Sequence, residues 1–163
     1  MEAHLLDKKD LFELDEIDKK ILNRIQGDFP ILENPYDEIG REAGISSDDA
    51  LERVKSLLRK KVIRKVGPFF DARKMGYRST LCAVNVPSER LEQAASAING
   101  FVEVTHNYLR QGNPNIWFTV IAESKEAIAS ILKDISTRTG VGPIHNLPAE
   151  KMFKVKVDLK ITD

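Results

Sequence analysis

A change in hydrophobic period divides this sequence into two parts. Up to residue 66 the apolar residues recur at the spacing of α-helices, whereas from residue 79 onward helix-like and strand-like segments alternate. Residues 67–78 lie between them and carry two glycines, a proline and two adjacent phenylalanines, which is typical of a connector. We therefore predict two small domains in the 163 residues: an N-terminal extension with a helical domain over 1–66, and a mixed domain over 79–163.

Start and stop signals place three helices in the first part. The residues suited to helix N-termini are Asp15, Asn34 with Pro35, and Ser46. Gly27 and Gly44 mark the ends of the first two helices, and the basic run 59–61 suits the end of the third. A short strand, or wing, is expected from Val62 to Val66. Three helices and a wing in this order predict a winged helix-turn-helix.

The second part alternates strands and helices. Apolar stripes at helical spacing occur around residues 91–98 and 128–135. Strands are expected at Ser79–Val86, Phe101–Arg110, Ile116–Ala122 and Met152–Leu159. The order β-α-β-β-α-β predicts a ferredoxin-like sandwich, so the fold class of the chain is α+β. Because the two helices cover one face of such a sheet, we expect its other face to pair with a second sheet.

Composition excludes several classes of protein. With 42% hydrophobic and 31% charged residues, the chain can bury a core and is not a disordered protein. No apolar run approaches the roughly 18 residues of a membrane span, and the first residues lack the pattern of a secretion signal, so we expect a cytoplasmic protein. Cys82 is the sole cysteine, and His4, His106 and His145 are far apart in sequence. Neither an intramolecular disulfide nor a local metal-binding loop is expected.

The charge of the helix-turn-helix disfavours DNA binding. Residues 1–66 hold 13 Lys and Arg against 15 Asp and Glu. Asp48, Asp49 and Glu52 lie at the start of the third helix, the end that approaches DNA in proteins with this motif. Carboxylates at that position repel phosphates, so we expect no DNA binding. A transcription regulator that senses a small molecule remains the alternative function for this architecture.

The strand that ends at Arg110 carries an imidazole, a phenol and a guanidinium at alternate positions. Strand alternation predicts that Val102, Val104, His106, Tyr108 and Arg110 share one face. The last three are spaced about 6.6 Å apart along the strand, far enough to address separate parts of one large flat ligand. The same row would also suit the open face of an antiparallel sheet without any ligand.

His145 and Trp117 are further candidates. His145 lies after Gly140, Gly142 and Pro143, outside any periodic segment, where it could reach over the sheet or simply be solvated. Trp117 either packs within its strand or stacks on a ligand.

The chain resembles two known groups of proteins that share one fold. The segment Leu14–Leu22, the helix-turn-helix and the β-α-β-β-α-β order together resemble the Lrp/AsnC regulators. A more specific similarity, to siroheme decarboxylases and among them to the alpha (AhbA-type) subunits, rests on His106–Arg110, Asn115–Thr119, Leu147–Ala149 and Phe153–Lys154. Asn107 stands where many members have a cysteine, and residues 113–117 replace a Trp-Pro-Tyr-Asn stretch. Both a complete site in this chain and a site completed by a partner remain open.

This resemblance implies a decarboxylase. Siroheme decarboxylases remove carbon dioxide from two acetate arms of siroheme and give didecarboxysiroheme on an alternative route to heme. The enzymes commonly work as two related chains or as fused domains, and the expected partner of this chain is a homologous beta (AhbB-type) subunit. No separate cofactor is expected, because the iron enters as part of the substrate.

The resemblance and the strand pattern indicate the same row of side chains. We expect His106 or His145 to donate a proton to the ring or to the nascent methylene carbon, or to ligate the iron, and Tyr108 to orient the carboxylate arms. The residues expected to bind the substrate are Arg110, Arg64, Lys65, Lys74, Arg78 and Trp117.

Overall fold

The computed structural model describes residues 12–68, 70–155 and 159–162, which form two units. The N-terminal unit contains the described residues up to Pro68 together with residues 155 and 159–162, and the C-terminal unit contains residues 70–154. The sequence assigned everything after residue 79 to the second domain, whereas the described residues from 155 onward group with the first. Among the residues that the structure describes, no helix is both long and apolar enough to cross a membrane.

The N-terminal unit contains the three expected helices, α1 (Glu16–Gly27), α2 (Pro35–Ala43) and α3 (Ser47–Arg59). Asp15 accepts a hydrogen bond from the backbone N–H of Asp18 at 2.7 Å, and Ser46 accepts one from that of Asp49 at 3.1 Å. Gly44 ends α2 in the left-handed conformation, with φ of 80°, which favours glycine. The predicted caps are therefore confirmed at the starts of α1 and α3 and at the end of α2.

The small core of this unit lies where the three helices meet. Its buried side chains are Ile21, Ile39, Ala43, Ala50 and Val54. The strand expected from Val62 to Val66 is wrong, because these residues are irregular. The backbone N–H groups of Val62 and Ile63 both donate to the carbonyl of Leu57 and cap the end of α3 instead of joining a strand.

The C-terminal unit has the predicted β-α-β-β-α-β order. Its elements are β1 (Arg78–Val84), α4 (Leu91–Asn99), β2 (Val104–Leu109), β3 (Ile116–Ala122), α5 (Lys125–Thr139) and β4 (His145–Pro148). The strands form one antiparallel sheet in the order β2-β3-β1-β4. Along β3, Ile116, Phe118, Val120 and Ala122 are buried in the core that α4 and α5 cover. The residues between them lie on the opposite face of the sheet.

The fourth strand lies earlier in the chain than expected. It comprises His145–Pro148, paired with Thr80–Ala83 of β1, whereas residues 152–155 and 159 of the expected strand are irregular and 156–158 lie outside the described residues. All four side chains of β4 are exposed. The strand is therefore defined by its backbone pairing. Because none of its side chains is buried, its sequence lacks the alternation of apolar and polar residues that predicts a strand.

Residues 159 and 161 return to α1. The side-chain amide of Gln26 donates to the carbonyl of Leu159 at 2.7 Å and accepts from its N–H at 3.0 Å. Asn23 forms the same two bonds with Ile161, at 2.9 and 3.2 Å. Leu159 and Ile161 thereby become one wall of an apolar cavity of about 860 Å³ beside Phe29.

Candidate functional site

The face of the sheet that α4 and α5 leave uncovered brings four of the predicted site residues onto one surface: His106, Tyr108, Trp117 and His145. Strand register places side chains of directly paired residues on the same face. One row across the sheet consists of Tyr108, Trp117, Ala83 and His145. The neighbouring row consists of His106, Thr119, Leu81 and Leu147. We call these two rows the open face.

A β-bulge decides which residues of β2 reach the open face. Val104 pairs with Val120 and packs on the core, but the next paired residue, His106, faces Thr119, so Thr105 is an extra residue. The bulge reverses the alternation at this point. The expectation that Val102 and Val104 share a face with His106 is therefore wrong: Val102 precedes the strand and is exposed.

His106 and Tyr108 stand side by side on the open face. Their ring centroids are 6.2 Å apart and their planes differ by 24°. The Nδ1 atom of His106 lies 3.0 Å from the hydroxyl of Thr105, so one ring nitrogen has a local partner. Among the described residues the other nitrogen, Nε2, has no hydrogen-bond partner and is available for a ligand. An imidazole in this state can hold or transfer a proton.

Asn107 fixes the strand from the other side of the sheet. Its amide donates to the side-chain oxygen of Asn99 at 2.9 Å and to the carbonyl of Ala95 at 3.4 Å, both in α4. These bonds tie β2 to the helix layer between the two aromatic residues that face outward. The orientation of His106 and Tyr108 thus depends on a residue of the opposite face.

Arg110 and Trp117 meet at a shallow cavity on the same side of the sheet. The cavity has a volume of about 390 Å³ and is lined by Leu81, Arg110, Trp117 and the turn residues 111–114. The indole N–H of Trp117 donates to the carbonyl of Pro114 at 3.0 Å, and the backbone N–H of Arg110 donates to that of Asn115 at 2.7 Å. The turn therefore fixes the backbone of Arg110 and the indole ring of Trp117 at the same cavity.

His145 is on the open face but far from His106. It lies on β4, at the opposite edge of the sheet, three strands away and two residues along. Standard strand spacing and rise give about 16 Å between the two backbone positions. The two histidines therefore cannot act on one atom at the same time.

The structure divides the predicted cations between the two units. Arg78 begins β1, and Lys74 is exposed in a 3₁₀ helix, Ala72–Met75. Arg64 and Lys65 follow α3 in the N-terminal unit, where Lys65 lines the apolar cavity of that unit. Sequence reasoning missed Leu81 and Leu147 as members of the open face, because their positions depend on the pairing of β4 with β1.

Cys82 has no role on this surface. It is fully buried among the apolar side chains of the core, as its apolar neighbours in the sequence predict. Burial raises the pKa of its thiol to about 12 and keeps it neutral and unreactive. Among the described residues there is also no cluster of three or more His, Cys, Asp and Glu that could hold a metal ion.

Comparison with solved structures shows an Lrp/AsnC-like fold. Escherichia coli AsnC aligns with a TM-score of 0.77 at 19% identity, covering 90% of this chain and 98% of that one, a likeness of fold alone. The siroheme decarboxylase NirDL aligns with a TM-score of 0.65 at 30% identity over 91% of this chain, which spans 48% of the NirDL chain. A second NirDL structure, in complex with an iron-uroporphyrin III analogue, aligns with a TM-score of 0.63 at 30% identity, over 80% of this chain and 43% of that one.

Sequence comparisons are more specific. Residues 18–64 match the siroheme decarboxylase NirDL-like HTH domain, and residues 74–154 match the AsnC-like ligand binding domain. The siroheme decarboxylase alpha subunit of Oleidesulfovibrio alaskensis is 46% identical over 93% of this chain and 92% of its own length. That of Nitratidesulfovibrio vulgaris is 47% identical over 91% and 84%. On this identity, carried through both units, the chain belongs to the siroheme decarboxylase family.

Proposed function

We propose that this chain is a subunit of a siroheme decarboxylase that removes carbon dioxide from two acetate arms of siroheme. The observation that carries the proposal is its 46% identity, over nine tenths of both chains, to a protein named as the alpha subunit of that enzyme. A second support is the NirDL structure, which holds an iron-uroporphyrin III analogue on a related fold. Iron enters the reaction as part of the substrate.

The reaction needs an electron acceptor and a proton. When the bond between the acetate methylene and its carboxylate breaks, carbon dioxide leaves and the electron pair passes into the conjugated macrocycle. A proton from an acid then forms the new C–H bond and leaves a methyl group, with no net oxidation. A side chain that supplies this proton must lie within hydrogen-bond reach of the reacting carbon or of the ring.

The open face supplies groups suited to these tasks. His106 is the proposed proton donor, because its Nε2 has no partner in the described part of the chain while Thr105 contacts Nδ1. Tyr108 and Arg110 would orient carboxylate arms, since a phenol and a guanidinium both donate hydrogen bonds to carboxylates. Trp117 beside Arg110 offers a flat apolar surface for the macrocycle.

The same face supports a homologous partner subunit. Leu81, Tyr108 and Leu147 are 42%, 55% and 46% exposed on the open face, more apolar surface than a sheet usually leaves to water. Related proteins carry the subunit names alpha, NirD and NirG. We therefore propose assembly with a beta (AhbB-type) chain, with the tetrapyrrole held partly by each.

The test is decarboxylation by the complete enzyme. The chain, alone and with a beta-type subunit, is incubated anaerobically with siroheme under reducing conditions, and the tetrapyrrole is followed by mass spectrometry. We expect a product that has lost two carboxyl groups. An unchanged mass in every combination would reject the proposed function.

The regulator alternative is disfavoured by charges in the helix-turn-helix. Arg53, in the middle of α3, donates to Asp15 at 2.7 Å and to Asp18 at 2.8 Å, so its charge is already paired within the unit. Asp48 and Asp49 lie in the first turn of the same helix. We expect no specific retardation of genomic DNA fragments in a gel-shift experiment at low salt with competitor DNA. Specific retardation would favour the regulator.

A further inference from the structure

Thr105 and His106 form a contact that a regular strand does not allow. Successive side chains of a β-strand point to opposite faces of the sheet, so the side chains of adjacent residues do not meet. The bulge in β2 changes this, because Thr105 and His106 together lie opposite Thr119 of β3. The hydroxyl of Thr105 therefore reaches the ring of His106 and lies 3.0 Å from its Nδ1 atom.

The contact between these two side chains is exclusive in the described part of the chain. The hydroxyl of Thr105 has no other hydrogen-bond partner among the described residues, and neither has Nδ1 of His106. The next side chain, that of Asn107, is bonded to α4 on the other face of the sheet. With Nδ1 held by Thr105, Nε2 is the nitrogen of His106 that is left for a ligand.

The chemistry of a proton donor decides the direction of this hydrogen bond. A histidine that donates a proton starts as an imidazolium ion, in which both nitrogens carry a proton and neither can accept a hydrogen bond. The oxygen of Thr105 must then accept from Nδ1–H of His106, which a hydroxyl oxygen does through its lone pairs. When Nε2 gives its proton to the carbon that has lost the carboxylate, the ring becomes neutral and its remaining proton is on Nδ1.

An acceptor at Nδ1 stabilises the state that this proton transfer leaves behind. The neutral imidazole of histidine in water carries its proton mostly on Nε2, whereas the transfer leaves it on Nδ1. The hydrogen bond made by one ring nitrogen determines which tautomer is favoured. Thr105 and His106 are both exposed in this chain, so a macrocycle that covers them excludes water that competes for the bond.

We propose that Thr105 is a positioning residue for the decarboxylation: its hydroxyl accepts a hydrogen bond from Nδ1–H of His106 and makes Nε2 the nitrogen that transfers the proton. The inference rests on the proposed function and adds to it a residue that acts on the substrate only through His106. It also gives the bulge a role, because in a regular strand residue 105 would face the helix layer.

The first test reads the tautomers of His106 from ¹⁵N chemical shifts, with the chain labelled in its three histidines and the ring neutral. The signals of His106 are those that His106→Ala lacks. Thr105→Val removes the hydroxyl and keeps the branched shape, and should lower the Nδ1–H fraction about twofold, as the loss of an exposed hydrogen bond predicts. Thr105→Ser should restore it. The matched control is Thr119→Val, which removes a hydroxyl from the paired residue of β3 and should leave the tautomers unchanged.

The second test measures carbon dioxide loss from siroheme with the beta-type partner present. Thr105→Val should lower kcat about fivefold, the effect of one hydrogen bond that is shielded from water. KM should stay close to that of the wild type, because the hydroxyl of Thr105 bonds to His106 and not to the substrate. Thr105→Ser should keep most of the turnover. Circular dichroism checks that each variant is folded.

The outcomes separate this inference from the proposed function. If the Nδ1–H fraction of His106 in Thr105→Val is equal to that of the wild type, or higher, the hydroxyl does not accept from Nδ1 and the inference is rejected. If the fraction falls but kcat is unchanged, the positioning role is also rejected, although the enzyme is a decarboxylase. If the wild type does not decarboxylate siroheme even with its partner, the proposed function fails and this role fails with it.

Discussion

The rings of His106 and Tyr108 lie 6.2 Å apart, centroid to centroid, and nearly parallel on the exposed side of β2. They are neighbours because a bulge at Thr105 turns both outward while Val104 packs inward. An imidazole and a phenol are therefore presented together at an edge of the sheet, next to the turn that follows Arg110.

Replacing His106 should remove most of the decarboxylase activity. General acid catalysis typically contributes a factor of about 10² to 10⁴, so His106→Ala should lower kcat by about a hundredfold or more. The matched variant is His145→Ala, since His145 lies across the sheet from His106. It should retain most of the turnover, measured as carbon dioxide loss by mass spectrometry with the partner subunit present. The opposite ranking would assign the proton transfer to His145.

The substitution Tyr108→Phe tests the contribution of the Tyr108 hydroxyl separately from that of its ring. The ring that stacks on His106 is kept, while a hydrogen-bond donor to a carboxylate arm is lost. We expect KM for siroheme to rise about threefold to tenfold with little change in kcat, because one hydrogen bond contributes about 1 kcal/mol. Tyr108→Ala loses the stacked ring as well and should also lower kcat. Unchanged kinetics in Tyr108→Phe would exclude a role for the hydroxyl.

Asn107→Ala should destabilise the C-terminal unit. The variant loses the bonds to Asn99 and Ala95 that hold β2 on α4. We expect a loss of about 1–2 kcal/mol in the free energy of unfolding in urea, since a partly buried partner is left unsatisfied. Asn99→Ala keeps the bond to Ala95 and should lose less. Equal stability of Asn107→Ala and wild type would show that the helix layer does not depend on these bonds.

Cys82 should make stability depend on pH in alkaline solution. The ordinary pKa of 9.0 is raised to about 12 by burial, so an unfolded chain loses this proton at a pH where the folded chain keeps it. Above about pH 9 stability should therefore fall as pH rises, by at most about 1.4 kcal/mol per pH unit from this group. Below that pH the group has no effect.

The comparison is between wild type and Cys82→Ala, unfolded in urea at about pH 8 and at about pH 10. Other groups titrate in this range in both proteins, so the informative quantity is the difference between their two losses of stability. The wild type should lose more. Parallel losses would mean that the thiol is ionised equally in both states.

The helices could be predicted from sequence because their signals are local. Asp15 and Ser46 cap α1 and α3 through hydrogen bonds to residues three positions away, and Gly44 ends α2 through its own backbone conformation. The order of strands and helices from β1 to α5 in the C-terminal unit also follows from local periodicity. The resemblance to siroheme decarboxylases, drawn from short motifs, agrees with the identity to the alpha subunits.

The remaining features depend on contacts between distant parts of the chain. The bulge at Thr105 arises in the pairing of β2 with β3, and no residue type in this segment predicts it. β4 is defined by its pairing with β1. The apolar alternation of Phe153 and Val155 predicts a strand, but residues 152–155 are irregular.

The hydrogen bonds of Asn23 and Gln26 mean that the N-terminal unit is completed only when the end of the chain has been synthesised. These residues leave the ribosome early, but their partners at Leu159 and Ile161 follow only after the whole sheet of the second unit has been synthesised. Until then the apolar surface beside Phe29 lacks one wall. If translation stops before these residues are made, an apolar surface on α1 stays exposed to solvent. Exposed apolar surface of this kind is what chaperones bind.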